Sequence, residues 1–350
     1  MAGRVLRKNG PPLHLVFFIT NRCDFRCRHC FLVANGQLND KSRALLNLDE
    51  IEDVARSLPR LTALSLTGGE PFLRTDYAAI VDRFARHTDV RSISTVTNGV
   101  SSERIVPQLE QVLAENDLNF FLTFSLDGDA PTHDSVRQKP GSFGRTLSTI
   151  REVLALTRRF PRLAVGVNST YIGTNSDALM ALYDKLEEFP LDFVTLNMMR
   201  GVDWTDRIDG LRTEEYRRLS ERKNRLIRDA SRKGALLRRT MRATDRILTD
   251  LVADTHDSQA SLFPCYGGRL LGVLKENGDV LACEQISERL GNVRETGYDF
   301  AAAWNTTTAR ARRRSIERGE CHCTYECVMT SNILFNPRFH PRLALELIRS

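Results

Sequence analysis

Short apolar runs rich in β-branched and aromatic residues alternate, along the first two hundred residues, with stretches whose apolar residues follow a helical spacing. The strand candidates are LHLVFFIT (13–20), ALSLTGG (63–69), SISTVTNG (92–99), NFFLTFSLDG (119–128), LAVGVNST (163–170) and FVTLNMMR (193–200). Helical patterns lie between them at 47–58, 75–87, 101–115, 142–158 and 175–188. The first of these opens with Asn47 and has Glu50 three residues on, which predicts a capping box. Successive βα units joined by right-handed crossovers predict a parallel sheet. Six units are too few for a closed eight-stranded barrel, so we expect an α/β fold with a partial (β/α)6 barrel.

The second half of the chain has a different pattern. Residues 211–259 are rich in Arg, Leu and Glu, contain no proline and favour helix. From Leu262 short strand-and-turn segments follow, among them LLGVLKENGDVLAC with an Asn277-Gly278 hairpin signal. We therefore predict four parts, namely the barrel over 1–210, a helical connector over 211–259, a small α+β domain over 260–335 and a C-terminal tail over 336–350.

Composition narrows the class of protein. The 350 residues are 41% hydrophobic and 27% charged, as in soluble globular proteins. No apolar stretch approaches the roughly 20 residues that span a bilayer. The first apolar run, Leu13 to Ile19, is followed by the polar NRCDFRCRHC instead of a signal-peptide cleavage site. We expect a cytoplasmic protein with no membrane partner, and the modest net charge of +6 gives little reason to expect a nucleic-acid partner.

The cysteines form two groups. Cys23, Cys27 and Cys30 directly follow the first predicted strand, and Cys265, Cys283, Cys321, Cys323 and Cys327 lie in the C-terminal part. Tight clusters in a chain with no sign of secretion favour metal binding over disulfides. The first group offers three thiolates to a metal. A cubane iron–sulfur cluster has four irons, so three ligands leave one iron open to a small molecule. A zinc knuckle that uses the three cysteines and His29 is the alternative.

The Cys-x3-Cys-x2-Cys loop, with His29 before the last cysteine, resembles the signature of the radical S-adenosylmethionine superfamily. The resemblance implies that the three thiolates hold a [4Fe–4S] cluster whose open iron binds S-adenosylmethionine. An electron from the cluster would then cleave the cofactor to a 5′-deoxyadenosyl radical, which abstracts a hydrogen atom. It also implies an electron donor such as flavodoxin or ferredoxin.

Two further motifs extend this resemblance. Thr67-Gly68-Gly69-Glu70-Pro71 ends the second strand and looks like the family's GGE motif, which implies that Gly68, Gly69 and Glu70 bind the methionyl ammonium. Ser125 to Gly128 end the fourth strand, and we expect His133 to Arg137 to lie in the loop that follows. The whole run, SLDGDAPTHDSVR, is similar to a stretch of radical enzymes that carry auxiliary clusters. It implies that Ser125 contacts the ribose, that Arg137 pairs with the cofactor carboxylate and that Asp127 also belongs to the site. Each motif alone could be an ordinary turn.

Other strand ends point to the same edge of the sheet, where parallel α/β folds bind their ligands. Asn98 and Asn168 end the third and fifth strands and are further candidates for cofactor binding, although each could simply form a turn. Met198, Met199 and Arg200 at the end of the sixth strand could line the same pocket.

The second cysteine group resembles the SPASM and shorter "twitch" domains of some radical S-adenosylmethionine enzymes. That resemblance implies an auxiliary [4Fe–4S] cluster. Five cysteines allow one fully ligated cluster, with one of Cys321 and Cys323 expected to be the spare thiol. Four thiolates suit zinc as well as a cluster, so a structural zinc site is the alternative.

The sequence predicts the class of reaction more firmly than the substrate. Our first hypothesis is a radical oxidoreductase or maturase that modifies a peptide or protein, and the second is oxidation or rearrangement of a small molecule in sugar, aminoglycoside or cofactor biosynthesis. A hypothesis from another class is a non-enzymatic zinc-binding adaptor that uses both cysteine groups. No residue could be assigned from the sequence as a catalytic acid, base or radical relay.

Overall fold

The computed structural model describes residues 10–201, 208–230 and 235–349. Six strands pair in parallel in chain order. They are β1 His14–Thr20, β2 Ala63–Gly68, β3 Ser92–Thr97, β4 Asn119–Ser125, β5 Leu163–Tyr171 and β6 Phe193–Met198. The helices between and after them are α1 Phe31–Ala34, α2 Leu48–Arg56, α3 Tyr77–His87, α4 Ser102–Glu115, α5 Ala130–Arg137, α6 Ser142–Leu156 and α7 Ser176–Leu186. The predicted partial barrel is confirmed.

Local sequence explains these elements well. Every residue of β1 after His14 is buried, as expected of a strand that packs on both faces of a parallel sheet. The predicted capping box at α2 is confirmed. Asn47 Oδ1 accepts a hydrogen bond from the Glu50 backbone N at 2.9 Å, and Glu50 Oε2 accepts one from the Asn47 backbone N at 2.8 Å.

One segment that we expected to be a loop is a helix. Residues His133 to Arg137 belong to α5, which begins after Asp129, whose side chain accepts a hydrogen bond from the Thr132 backbone N. The helix ends at Gln138, which has a left-handed φ of 55°. Eight residues are too few to show a clear helical period, so only the N-cap aspartate could have indicated the helix. The helix matters because it places Arg137 at the end of the barrel where the strand ends meet.

The C-terminal part adds two long helices, a short meander and a helical end. These elements are α8 Thr213–Ala230, α9 Ala235–Ser258, β7 Leu271–Leu274, β8 Asp279–Leu281, β9 Arg289–Asn292, α10 Phe300–Trp304, α11 Thr307–Glu317, α12 Glu326–Phe335 and α13 His340–Arg349. The predicted hairpin at Asn277-Gly278 is confirmed, and Gly278 has a φ of +90° that suits glycine. The segment predicted as a tail forms α13, and Arg246 Nη1 on α9 lies 3.2 Å from Glu346 Oε2 on it.

The meander extends the barrel sheet. β7 pairs in parallel with β1, and the strand order across the sheet is β6-β5-β4-β3-β2-β1-β7-β8-β9. The sequence pattern did not predict this pairing, because a four-residue strand carries no information about a partner more than two hundred residues away. The pairing brings the carboxyl end of β7 to the side of the cysteine loop that follows β1. Among the described helices, none is long and apolar enough to cross a membrane.

Candidate active site

A cleft of about 1060 Å³, including the solvent in its mouth, opens at the carboxyl ends of the parallel strands. This is where parallel α/β sheets place ligand sites. The predicted residues that line it are Cys23, Cys27, Cys30, Gly68, Gly69, Glu70, Asn98, Ser125, Arg137, Met198, Met199 and Arg200. Motifs from five strand ends therefore meet in one place.

The loop that carries the first three cysteines, residues 21–30, is called the cluster loop below. Its fold is fixed from outside by Asn39, whose Oδ1 accepts a hydrogen bond from the Cys23 backbone N at 3.0 Å and whose Nδ2 donates to the Cys23 carbonyl at 3.0 Å. Asn39 was not predicted, since nothing in the sequence joins it to the loop. Burial raises the pKa of Cys23 to about 12, so its thiol stays neutral until a cationic group compensates a thiolate.

The two glycines of the TGGEP motif pack against the cluster loop. A Cβ on Gly68 would lie 2.0 Å from the Thr20 carbonyl O, and a Cβ on Gly69 would lie 2.1 Å from the Arg22 carbonyl O. The Gly69 and Glu70 backbone N atoms donate to these same two carbonyls at 2.8 Å. The sequence predicted glycines for close approach to a ligand, and the structure adds that they let β2 clamp the start of the cluster loop.

Glu70 is a buried carboxyl held by hydrogen bonds. Its Oε1 accepts from the Thr97 hydroxyl at 2.8 Å and the Phe72 backbone N at 3.2 Å, and its Oε2 accepts from the Asn98 backbone N at 2.8 Å. Burial nevertheless raises the pKa of Glu70 to about 7. A cationic ligand beside this carboxyl would favour its ionised form.

Beneath the cluster loop lies a buried ion pair. Arg137 Nε donates to Asp127 Oδ2 at 2.6 Å, and Arg137 Nη1 lies 3.8 Å from Cys27 Sγ. The other Asp127 oxygen accepts from the Thr170 backbone N at 2.8 Å. Burial acts to raise the pKa of Asp127, but the Arg137 guanidinium, together with the Thr170 backbone N–H and the other groups around the carboxylate, holds that pKa below its usual value. The charge of Asp127 therefore fixes the orientation of Arg137 at the edge of the cleft.

Two histidines surround this pair and stay neutral. His29 Nε2 lies 3.8 Å from Asp127 Oδ2, and His133 Nδ1 accepts from the Asp127 backbone N at 3.3 Å. Burial lowers the pKa of each imidazole to about 4. His29 lines the cleft, where its buried Nδ1 has no hydrogen-bond partner in the described part of the chain. The Nδ1 atom of His29 is thus free to form a hydrogen bond with a group bound in the cleft.

Two predicted cofactor residues do not line the cleft. Asp127 is fully buried behind Arg137. Asn168 lies further down β5, where its Oδ1 accepts a hydrogen bond from the Thr195 hydroxyl at 2.7 Å. The cleft also has walls that the sequence analysis missed, formed by Phe31, Leu38, Val96, Thr97, Thr170, Asn197, Gly201 and Gln285. Several of them lie at or beside predicted strand ends, which is the signal that could have found them.

The second cysteine group assembles away from the cleft. Cys323 lies close enough to Cys265 and Cys283 to act on their pKa values, and Cys321 hydrogen-bonds to Cys323. That hydrogen bond raises the pKa of Cys321 and lowers the pKa of Cys323. Apolar side chains, including Phe263, surround a small cavity there. The group brings together thiols from three separate segments of the chain.

Cys327 is the fifth thiol of this group. The residue has an exposed surface on the first turn of α12, but burial of its thiol raises its pKa to about 12, and the charged groups that act on it are Glu284, Glu326 and Arg200. Arg200 pairs with Glu326, which also accepts a hydrogen bond from the Met198 backbone N at 3.0 Å. This pair joins α12 to the end of β6. Across residues 10–201, 208–230 and 235–349, no three His, Cys, Asp or Glu side chains surround one point at the spacing of a single metal ion.

Comparisons with known proteins agree with this geometry. The family model described as the Radical SAM superfamily matches residues 17–186. Human molybdenum cofactor biosynthesis protein 1 is 28% identical over 196 residues, which are 55% of this chain but only 29% of the human protein. The AdoMet-dependent heme synthase of Methanosarcina barkeri is 24% identical over 336 residues, 91% of this chain and 90% of the synthase.

The fold has relatives among solved structures. The crystal structure of Streptococcus suis SuiB bound to S-adenosylmethionine superposes with a TM-score of 0.63 at 17% identity, over 86% of this chain and 68% of SuiB. Radical SAM proteins are enzymes that use a [4Fe–4S] cluster and S-adenosylmethionine, and three cleft-lining thiols suit such a cluster. The ends of β1 to β5, the cluster loop and the glutamate of the GGE motif all lie within the matched segment, so this chain carries a radical SAM superfamily domain over residues 17–186.

Proposed function

We propose that this radical SAM enzyme reductively cleaves S-adenosylmethionine and abstracts a hydrogen atom from a peptide or protein substrate. The observation that carries the proposal is the convergence of three thiols, Glu70 and Arg137 on one cleft. When bound there, the cluster and S-adenosylmethionine supply the 5′-deoxyadenosyl radical that takes the hydrogen atom. Cys23, Cys27 and Cys30 are the ligands of that cluster in our proposal.

The side chains around the thiols suit the two ends of the cofactor's methionyl group. Glu70 is a buried acceptor whose ionised form gains from a neighbouring ammonium group. Arg137 uses Nε and Nη1 on Asp127 and Cys27, which leaves N–H donors of its planar fork for a carboxylate. Ser125 lies in the cleft wall between them and is our candidate for the ribose hydroxyls.

The substrate side of the cleft is open and largely apolar. Val96 is 40% exposed at its rim, and Met198 and Met199 line the wall beyond it. The two cationic side chains among the described lining residues, Arg137 and Arg200, are each paired with a carboxylate. Compensated charges and methionine side chains favour an uncharged, apolar group such as a peptide side chain over a polyphosphate.

A small-molecule substrate is the second candidate, and one observation favours it. The heme synthase of M. barkeri matches this chain along nearly the whole length of both proteins. Under this alternative the same cleft oxidises or rearranges a small molecule, and the cofactor residues keep their roles.

Deuterium transfer distinguishes the two substrates. The reconstituted enzyme is incubated with S-adenosylmethionine, reductant and fractions of a fully deuterated extract of the source cells, and deuterium in 5′-deoxyadenosine is measured by mass spectrometry. We expect transfer from the peptide fraction, and we expect it to disappear after that fraction is digested with protease. Transfer from a protease-resistant small-molecule fraction would favour the alternative. Failure to form any 5′-deoxyadenosine, with or without substrate, would contradict the proposal itself.

We further propose that the second cysteine group holds an auxiliary [4Fe–4S] cluster through Cys265, Cys283, Cys321 and Cys323. The support is that these four thiols act on one another's pKa values, whereas the charged groups that act on Cys327 are Glu284, Glu326 and Arg200. We predicted from the sequence that Cys321 or Cys323 would be the spare thiol, and the contacts favour Cys327 instead. Four cysteine ligands would leave no iron open for substrate. Zinc remains the alternative occupant of these thiols.

A further inference from the structure

The outer face of the cluster loop carries three arginines. Residues 22 to 29 alternate strictly in exposure. The odd-numbered members, Cys23, Phe25, Cys27 and His29, line the cleft, whereas the even-numbered members, Arg22, Asp24, Arg26 and Arg28, are exposed and do not line it. Solvent exposure and cleft lining thus divide the side chains of this loop into a cleft side and a solvent side. The arginines therefore face outward, each next in sequence to a residue that faces the proposed cluster.

Lys139, two residues beyond the end of α5, extends this charged surface. Its Nζ lies 5.6 Å from the centroid of the Phe25 ring and 3.3 Å from the Asp24 carbonyl O. Arg22, Arg26, Arg28 and Lys139 are called the basic rim below. In the described part of the chain, the three arginine guanidinium groups have no hydrogen bond or ion pair. Their charges are thus open to an outside partner.

Two carboxylates beside the basic rim are already engaged. Asp24 Oδ1 accepts a hydrogen bond from Asn98 Nδ2 at 3.0 Å, and its Oδ2 lies 3.9 Å from Lys139 Nζ. Asp40 Oδ1 accepts from the Ser42 backbone N at 2.9 Å and from the Ser42 hydroxyl at 2.7 Å. Four cations against two carboxylates leave a surface that is positive on balance. Exposed arginines elsewhere are often neutralised, as Arg86 is by Asp82 and Arg159 is by Glu110.

We propose that the basic rim is the docking surface for an acidic one-electron carrier protein, which reduces the cluster held by Cys23, Cys27 and Cys30. The step moves one electron from the reduced carrier to the cluster, and no bond forms or breaks in it. The inference rests on the proposed function, since only a redox cluster behind the loop needs such a donor.

Position and charge together select this partner. Electron-transfer encounters bury small areas, below about 1,200 Å², so a patch of a few side chains is enough. Opposite charge raises the association rate by roughly 10- to 1,000-fold at low salt without demanding tight binding. The cleft is on the other side of the loop, so the carrier and the substrate do not compete for one surface.

The test reverses charge on the rim and compares two reductants. The double variant Arg26→Glu/Arg28→Glu is matched with Arg60→Glu/Arg91→Glu. Arg60 and Arg91 are also exposed, and they lie just before β2 and β3, at the opposite end of the sheet. The initial rate of 5′-deoxyadenosine formation is measured at low salt with reduced flavodoxin, and in parallel with photoreduced deazariboflavin, a small reductant that needs no docking surface.

We expect the flavodoxin-driven rate of the rim variant to fall about tenfold or more. The deazariboflavin-driven rate should change by less than about twofold, because that small reductant needs no charge complementarity. The matched control should keep both rates. Fluorescence anisotropy of labelled oxidised flavodoxin should show the same loss of binding with the rim variant, independently of turnover. In the unaltered protein the binding should weaken steadily as salt is added.

Three results would overturn the proposal. One is an equal loss with both reductants, which would place the effect at the cluster itself. Another is an equal loss of the flavodoxin-driven rate in the matched control. A third is that the rim variant binds flavodoxin as tightly as the unaltered protein does. Failure of the proposed function is distinguishable from all of these, since the unaltered protein would then form no 5′-deoxyadenosine even with deazariboflavin.

Discussion

The two cysteine groups of this protein differ in how the chain assembles them. The first three thiols come from one loop of ten residues, fixed at the end of β1 and open to a cleft. The thiols of the second group come from three segments and gather beside Phe263, away from that cleft. A site that must admit a cofactor lies at the strand ends, where polar side chains and glycines are available. A site built from distant segments holds the separate segments of the C-terminal part next to one another.

The largest expected effect separates the two groups by function. Cys27→Ala should abolish 5′-deoxyadenosine formation and lower the iron content from roughly eight to roughly four atoms per chain, because a cluster left with two ligands is lost. Iron analysis and product chromatography on anaerobically reconstituted protein check this. Full loss of iron, or product formation by the variant, would contradict the separate roles. Thermal denaturation serves as the control for folding.

The next prediction sharpens the ligand set of the second group. Cys323→Ala should lose roughly four irons per chain, whereas Cys327→Ala should keep them, since Cys327 is not in the proposed ligand set. The two variants make the same chemical change four residues apart, so each is the control for the other. Equal iron loss in both would restore Cys327 to the ligand set, and stoichiometric zinc in place of iron would favour the structural zinc alternative.

A third prediction concerns the ion pair beneath the first group. Asp127→Asn should reduce the free energy of unfolding by about 3 kcal/mol, because it leaves the buried Arg137 without a compensating charge. Urea denaturation of the protein measures the change. Asp117→Asn is the matched control, since its ion pair with Arg162 is exposed and contributes little. Similar losses in the two variants would show that the buried pair has no special role.

The smallest effect is a pH dependence at Glu70. Because burial raises the pKa of this carboxyl to about 7, lowering the pH from 8 to 6 protonates it and removes the charge that an ammonium group needs. The dissociation constant of S-adenosylmethionine should therefore rise about tenfold over this range. Glu70→Gln should bind more weakly than the unaltered protein at pH 8 and lose the dependence. Equilibrium dialysis at several pH values measures the dissociation constant. A dissociation constant that does not change with pH in the unaltered protein would argue against an ionised Glu70 as the acceptor.

Much of the first site could be predicted from the sequence alone. The spacing of Cys23, Cys27 and Cys30 and the GGE motif follow predicted strands, and parallel strands bring their carboxyl ends to one edge. Asn98 and Ser125 were found in the cleft for the same reason. Asn168 was not found there, because it lies two residues before Thr170, the residue of β5 that lines the cleft. A sequence motif does not show how far down a strand a residue lies. Its role as a cofactor ligand stays a prediction.

Sequence by itself determined the elements whose signals are local. These are the six strands of the barrel, the capping box of α2, the hairpin at Gly278 and the cysteine loop. Only the tertiary structure decided that β7 joins the barrel sheet beside β1, that Asp127 is bound to Arg137 behind the cleft, and that cysteines from three distant segments come close together. Strand pairing over a long separation, burial of a charge and the neighbours of a thiol depend on packing between distant segments. The hydrophobic periodicity of a sequence shows which face of a helix or strand is buried. Only the packing of the fold shows what that face contacts.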